Sequence, residues 1–239
     1  MQTTELKKAA LDFGADLVGV APVSRLARLP EKNNIALVAP EAKTIIAIGK
    51  RILRGSLRGT EEGTNFNKSF WMHWLEEQFL SRTIQSVATL LEDAGFEALP
   101  MLGLQHGSGA FEPDTNAFAR AAGLGDVGRH GLFMTPEFGP RQRIAFIATN
   151  AEFEPDAVIE NRLCDGCDAC EKACPLMDGA PSFPPHTRCR GCENGAALND
   201  GKVERFAAAC ARACVCATEG KLTKKFNSPF RHREAWSRK

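Results

Sequence analysis

Apolar positions in the first 150 residues recur with two periods, and each switch of period marks a new element. Leu6, Ala9, Ala10 and Phe13 lie at helical spacing and Gly14 follows them, which predicts a short amphipathic helix over 3–14. The run DLVGVA at 16–21 reads as a buried strand. After a proline-punctuated loop, TIIAIG at 44–49 reads as a second, bounded by Pro40 and Gly49. Residues 51–69 are basic and glycine-rich and read as a solvated loop. The longest helix runs from 70 to about 95, with Ile84, Val87 and Leu91 on its buried face and Gly95 closing it. Trp71, His73 and Trp74 at its start read as an aromatic end turned toward the core. A strand at 96–102 comes next, then the glycine-rich loop 103–111, a helix at 116–122 and the alternating strand RIAFIAT at 143–149. Residues 150–162 read as a link to a cysteine-rich C-terminal part. Strands separated by helices of very unequal length, with glycine loops between, compose an α+β sandwich rather than a regular βαβ repeat.

Between the last helix and the last strand lie GLGDVGRHG at 123–131 and LFMTPEFGP at 132–140. The first holds a G-x-G-x-x-G string, but it follows a helix where a dinucleotide-binding loop follows a strand, so that reading fails its own context. What such glycines permit is a backbone running close to a large polar or anionic ligand, its N–H groups turned inward.

All nine cysteines fall within 163–216. Cys164, Cys167, Cys170 and Cys174 stand at C-x2-C-x2-C-x3-C-P, the spacing of a bacterial 4Fe-4S site whose fourth cysteine reaches a second cluster. The partner motif is present with a longer gap, C-x2-C-x17-C-x3-C, through Cys189, Cys192, Cys210 and Cys214. Crossed pairing assigns Cys164, Cys167, Cys170 and Cys214 to one cluster and Cys174, Cys189, Cys192 and Cys210 to the other. Cys216 lies two residues past Cys214, and the spacing leaves open which of the two is the ligand. A disulfide framework spreads its cysteines as staples, and structural zinc does not call for a four-cysteine run closed by C-P, so both readings lose to two 4Fe-4S clusters.

Composition narrows the rest. With 44% hydrophobic and 25% charged residues the chain is an ordinary globular one, and 239 residues suffice for one substantial core plus a small appended domain. A net charge of +1 supplies no field for nucleic acid, which argues against it as a partner; the basic stretch 220–239 reads as a solvated tail. The opening MQTTELKKAALDFG lacks the apolar core of an export signal and no apolar run approaches a membrane span, so the expected location is cytoplasmic, with no membrane contact.

AAGLGDVGRHGLFMTPEFGPRQR followed, after a strand, by LCDGCDACEKACP resembles the cobalamin-dependent reductases, namely reductive dehalogenases and epoxyqueuosine reductases. AALDFGADLVGVAP and PEAKTIIAIGK also look like the N-terminal half of that family, so the resemblance runs through nearly the whole chain. It implies a nitroreductase-like cobalamin-binding α+β domain at 1–155, a ferredoxin-like double-cluster domain at 156–220 and a basic tail at 221–239. It further implies that Gly123, Gly125, Gly128, Arg129, His130, Thr135, Phe138, Gly139 and Arg141 line a corrinoid pocket fed with electrons by the two clusters. Reductive dehalogenases use a tyrosine as proton donor and this chain has none. The candidates for that role are His106, His130, Glu112 and Asp114, on loops flanking the expected pocket. The expected function is a cytoplasmic iron-sulfur oxidoreductase acting through cobalamin on a small organic substrate, with a low-potential donor such as ferredoxin or flavodoxin. The alternative is an electron-transfer or corrinoid-handling protein with no organic substrate of its own.

Overall fold

The computed structural model describes residues 1–53, 70–102, 111–160, 162–174, 177, 196–197, 203–204 and 209–224, with backbone alone at 70–77, 196–197, 203–204 and 209. In chain order the elements are α1 (Thr3–Asp12), β1 (Leu17–Pro22), β2 (Thr44–Arg51), α2 (Phe70–Asp93), β3 (Ala98–Met101), α3 (Thr115–Ala121), β4 (Asp126–Val127), β5 (Phe133–Met134), β6 (Gln142–Thr149), α4 (Ala169–Ala173), β7 (Ala196–Ala197), β8 (Val203–Glu204) and α5 (Ala209–Thr218). Described residues of Met1–Arg51, Glu76–Asp126 and Arg143–Glu160 form one compact unit, and those of Ile52–Leu75, Val127–Gln142 and Asn161–Lys239 a second. Among the described residues no helix is long and apolar enough to cross a membrane.

The first unit is built on a four-stranded sheet in the order β1-β2-β6-β3. β1 runs antiparallel to β2, with Leu17 opposite Gly49 and Pro22 opposite Thr44, and β3 runs antiparallel to β6, with Ala98 opposite Thr149. The period of two along a strand sends Ile46 and Ile48 to the face where Leu6 and Ala10 of α1 and Ile84, Val87 and Leu91 of α2 pack, together with Ala145 and Ile147 of β6. The opposite face meets α3, where the ring of Phe118 stands edge-on to that of Phe146, centroids 5.5 Å apart. Helices on both faces explain why β6, alternating in sequence, is buried at every position from Ala145 to Thr149. Each fully buried Ile or Leu of this core contributes roughly 1.5–3 kcal/mol relative to exposure.

Residues 150–160, read as a link, are part of this unit. The Val20 and Asp156 backbones are joined through an N–H of Asp156 donating to the Val20 carbonyl, and the Asp156 carboxylate accepts from the Val20 N–H, each at 2.9 Å. Lys7 reaches the same carboxylate at 2.5 Å. Three short 3-10 turns, Val23–Leu26, Glu31–Asn33 and Ile35–Leu37, occupy the proline-punctuated loop and had no periodic signal in the sequence.

In the second unit α4 packs against α5. β7 and β8, two residues each, pair antiparallel within the long gap of the second cysteine motif. The 54–69 and 103–110 stretches, and with them His106, lie outside the described residues, as do Cys189, Cys192, the chain beyond 224 and the side chains of Trp71, His73 and Trp74.

Candidate functional site

The first cysteine motif opens on a tight turn. The Asp165 N–H donates to the Arg162 carbonyl and the Cys167 N–H to that of Cys164, both at 3.2 Å, with Gly166 at φ +65°. A left-handed residue at that point costs a side chain roughly 1–2 kcal/mol, so glycine is what lets Cys164 and Cys167 fold back on one turn. Asp168 precedes α4, which carries Cys170 inward at 5% exposure and ends at the buried Cys174. Across from it, α5 sets Cys210 and Cys214 four residues apart, hence on one face of the helix.

Cys170 and Cys214 belong to one apolar cluster with Met134, Leu163 and Leu222, against which Cys210 also packs. Cys216 packs instead beside Val215, in a separate patch. Among the described residues, then, Cys214 shares a cluster with Cys170 and Cys210, while Cys216 is grouped with Val215. Burial pushes the Cys170 thiol up to about 11, and the neighbouring groups of Cys164, Cys210, Glu171 and Cys167 add to it. Cys214 is also raised, again by burial first and then by Cys170, Cys164, Cys167 and Cys210. Bare thiols held this way stay protonated, and a cationic metal centre relieves the penalty by taking the place of the protons. No disulfide joins any of the seven described cysteines. Among the described residues no three His, Cys, Asp or Glu side chains converge tightly enough for a single ion. A four-iron cluster is wider than an ion and keeps its thiolates further apart, and an all-sulfur donor set is the one it takes.

The 127–142 segment packs in this same unit. Met134 brings its Sδ to 3.8 Å from the Cys214 Sγ. Arg129, half exposed, pairs with Glu171 of α4 at 3.1 Å. Within the segment, Thr135 and Gly139 exchange backbone hydrogen bonds of 2.9 and 2.8 Å, with Gly139 at φ +59°. The Thr135 hydroxyl accepts from the Phe138 N–H and donates to Gln142 Oε1, whose amide nitrogen in turn donates to the Phe133 carbonyl at 2.9 Å. Thr135, Phe138 and Arg141 are each at most 1% exposed. His130 is buried, and its Nδ1 accepts from the Leu132 N–H at 3.1 Å, which fixes the neutral ring as the Nε2–H tautomer.

The remaining candidates lie in the first unit. Glu112 forms an ion pair with Lys32 at 2.8 Å, and that ammonium, by hydrogen bond and charge, holds the carboxyl below its ordinary value. Asp114 is the N-cap of α3, accepting from the Ala117 N–H at 3.0 Å. Gly123, at φ +73°, sits where a Cβ would lie 2.5 Å from the Ala157 carbonyl oxygen. The first glycine of the string is therefore required by packing against the chain itself. Sequence reasoning did not single out Met134 or Lys221. The ammonium of Lys221 donates to the Leu163 and Asp165 carbonyls at 3.2 and 3.1 Å.

A tetrachloroethene reductive dehalogenase of Desulfitobacterium hafniense is 34% identical over 213 residues, which cover 72% of this chain and 37% of the dehalogenase. An epoxyqueuosine reductase of Listeria monocytogenes is 37% identical over 86 residues, 36% of this chain and 22% of that protein. The chain is a relative of the reductive dehalogenases and epoxyqueuosine reductases. It spans little more than a third of the length of the dehalogenase it matches. Solved structures of these reductases share its fold. Bacillus subtilis epoxyqueuosine reductase superposes with a TM-score of 0.60 at 21% identity, over 96% of this chain and 68% of that one. A reductive dehalogenase described as suggesting a mechanism for B12-dependent dehalogenation gives 0.57 at 19% identity, over 72% and 25%. An epoxyqueuosine reductase bound to a tRNA stem loop gives 0.54 at 22% identity, over 73% and 52%. No family model matches the chain. The bound stem loop removes the support for discounting nucleic acid, since a reductase of this fold takes an RNA ligand while the argument against one rested on net charge alone.

Proposed function

We propose that this chain is a cytoplasmic iron-sulfur reductase in which two 4Fe-4S clusters deliver electrons to a bound cobalamin that reduces a small organic substrate. One observation carries the reading. The segment assigned to the corrinoid by resemblance packs directly on the cysteines, with Met134 touching Cys214 and Arg129 pairing with Glu171. Electron supply and electron use then share one compact unit, as short-range transfer requires.

Cys164, Cys167, Cys170 and Cys214 would hold one cluster, and Cys174, Cys210, Cys189 and Cys192 the other. The grouped, buried, hard-to-ionise thiols fit such a metal centre. Gly128, Arg129, His130, Thr135, Phe138, Gly139 and Arg141 are the residues of this unit that would hold the corrinoid; Gly123 and Gly125 are assigned to it by resemblance alone. Support for the fit is the tight Thr135–Gly139 turn, closed by its own backbone hydrogen bonds, on a segment packed against the thiols. When bound, the corrinoid would supply a strongly reducing cobalt centre. The chain's own part is to seat it, exclude water and bring a proton. For that proton His130 is favoured over Glu112 and Asp114, because it lies in the unit of the cysteines while Glu112 is held as a carboxylate by Lys32 and Asp114 caps a helix. A low-potential ferredoxin or flavodoxin would supply the electrons. Whether the substrate is a free organic molecule or one carried on RNA, as the tRNA-bound relative illustrates, is a question of assay.

The test is anaerobic reconstitution followed by metal and corrinoid analysis. About eight irons per chain and one retained cobalamin are expected. A chain that binds iron but no corrinoid would overturn the reductase and leave the alternative, an electron-transfer protein. That second reading is favoured by the structural engagement of Glu112 and Asp114, which leaves fewer groups for chemistry.

A further inference from the structure

We propose that Lys221–Lys224 is a clasp tying the first cysteine turn to the 135–139 segment, with Lys221 as a positioning residue for the Cys164–Cys167 turn. The clasp presupposes the two proposed clusters and is made of residues that the sequence assigns to a solvated tail. Each of four consecutive residues is engaged. Lys221 donates to the carbonyls of Leu163 and Asp165, on either side of Cys164, at 3.2 and 3.1 Å. Leu222, 3% exposed, packs with Leu163, Met134, Cys170 and Cys214. The Thr223 N–H donates to the Pro136 carbonyl at 2.9 Å. Lys224 holds its ammonium 5.5 Å from the centre of the Phe138 ring.

One exposed lysine contact alone is worth little. Here the buried Leu222 already fixes the backbone, so its neighbours make their contacts without a further backbone-ordering cost. The turn that aims Cys164 and Cys167 is thereby coupled to the segment that carries Pro136 and Phe138. The ammonium of Lys221 also stands beside the cluster-binding turn, where a positive charge favours the reduced, more negative form of a cluster and raises its potential.

The test uses the reconstituted full chain, with redox titration followed by EPR and with amide hydrogen exchange. Lys221→Met should lower one of two midpoint potentials and leave the other in place, with iron content at the parent's level. Lys221→Arg should restore the potential. Thr223→Pro removes the N–H that bonds the Pro136 carbonyl, and Leu222, at φ −70° and ψ 144°, already has the backbone a following proline requires. Amides of 135–139 should then exchange up to about tenfold faster. Parent-like potentials in Lys221→Met together with parent-like exchange in Thr223→Pro would overturn the clasp while leaving the clusters standing. A parent chain that takes up no iron would overturn the cluster reading and the clasp with it.

Discussion

At the scale of single residues, two contrasts can be measured directly. Gly95 and Gly123 both have positive φ, +84° and +73°, but a Cβ at Gly95 meets nothing within 4 Å while one at Gly123 would sit 2.5 Å from a carbonyl oxygen. Chemical denaturation should show Gly95→Ala losing about 1–2 kcal/mol, the cost of the left-handed backbone alone. Gly123→Ala should lose about 3 kcal/mol or more, since backbone cannot move aside as a side chain can. The second contrast is between two thiols on α5. Cys214→Ser should lose about half of the iron of the reconstituted protein, whereas Cys216→Ser should keep all of it, as read by iron analysis. The cysteine spacing was legible because C-x2-C-x2-C-x3-C-P is a local pattern that needs no tertiary information. The choice between Cys214 and Cys216 was not, because it depends on which face of α5 meets Cys170 and Met134.

At the scale of elements, the period of apolar residues located α1, α2, β1, β2 and β6 to within a few positions. It failed where no period exists, in the three 3-10 turns and in the 150–160 strap held by Asp156. The start of α3 shows how a capping residue resembles a catalytic one in sequence. An aspartate beside a glycine loop reads as a proton donor, yet its carboxylate accepts the Ala117 N–H. Asp114→Ala should cost about 1 kcal/mol in denaturant and Asp114→Asn almost nothing, with cofactor content unchanged in both. Loss of bound cofactor at unchanged stability would instead make Asp114 a site residue.

At the scale of the molecule, two units with separate cores should respond differently to loss of metal. The core of the first unit is a sheet filled by Ile46, Ile48 and Ile147 between helices, with no cysteine in it. In the second, Cys170 and Cys214 are themselves part of an apolar cluster of described residues. Stripping iron with a chelator should therefore abolish amide protection in α4 and α5 and leave β2 and β6 protected, since metal binding there is folding free energy. Uniform loss of protection would show that the two units do not fold independently. What the sequence determined by itself is whatever short-range chemistry enforces: helix and strand periods, and a cysteine spacing of the kind that iron-sulfur clusters take. Only the tertiary structure decided that 127–142 belongs with the cysteines, that Met134 and Lys221 are their neighbours, and that Glu112 and Asp114 are occupied elsewhere. Those facts arise from contacts between residues far apart in the chain, and a spacing rule is blind to them because the partner of each residue is chosen by packing.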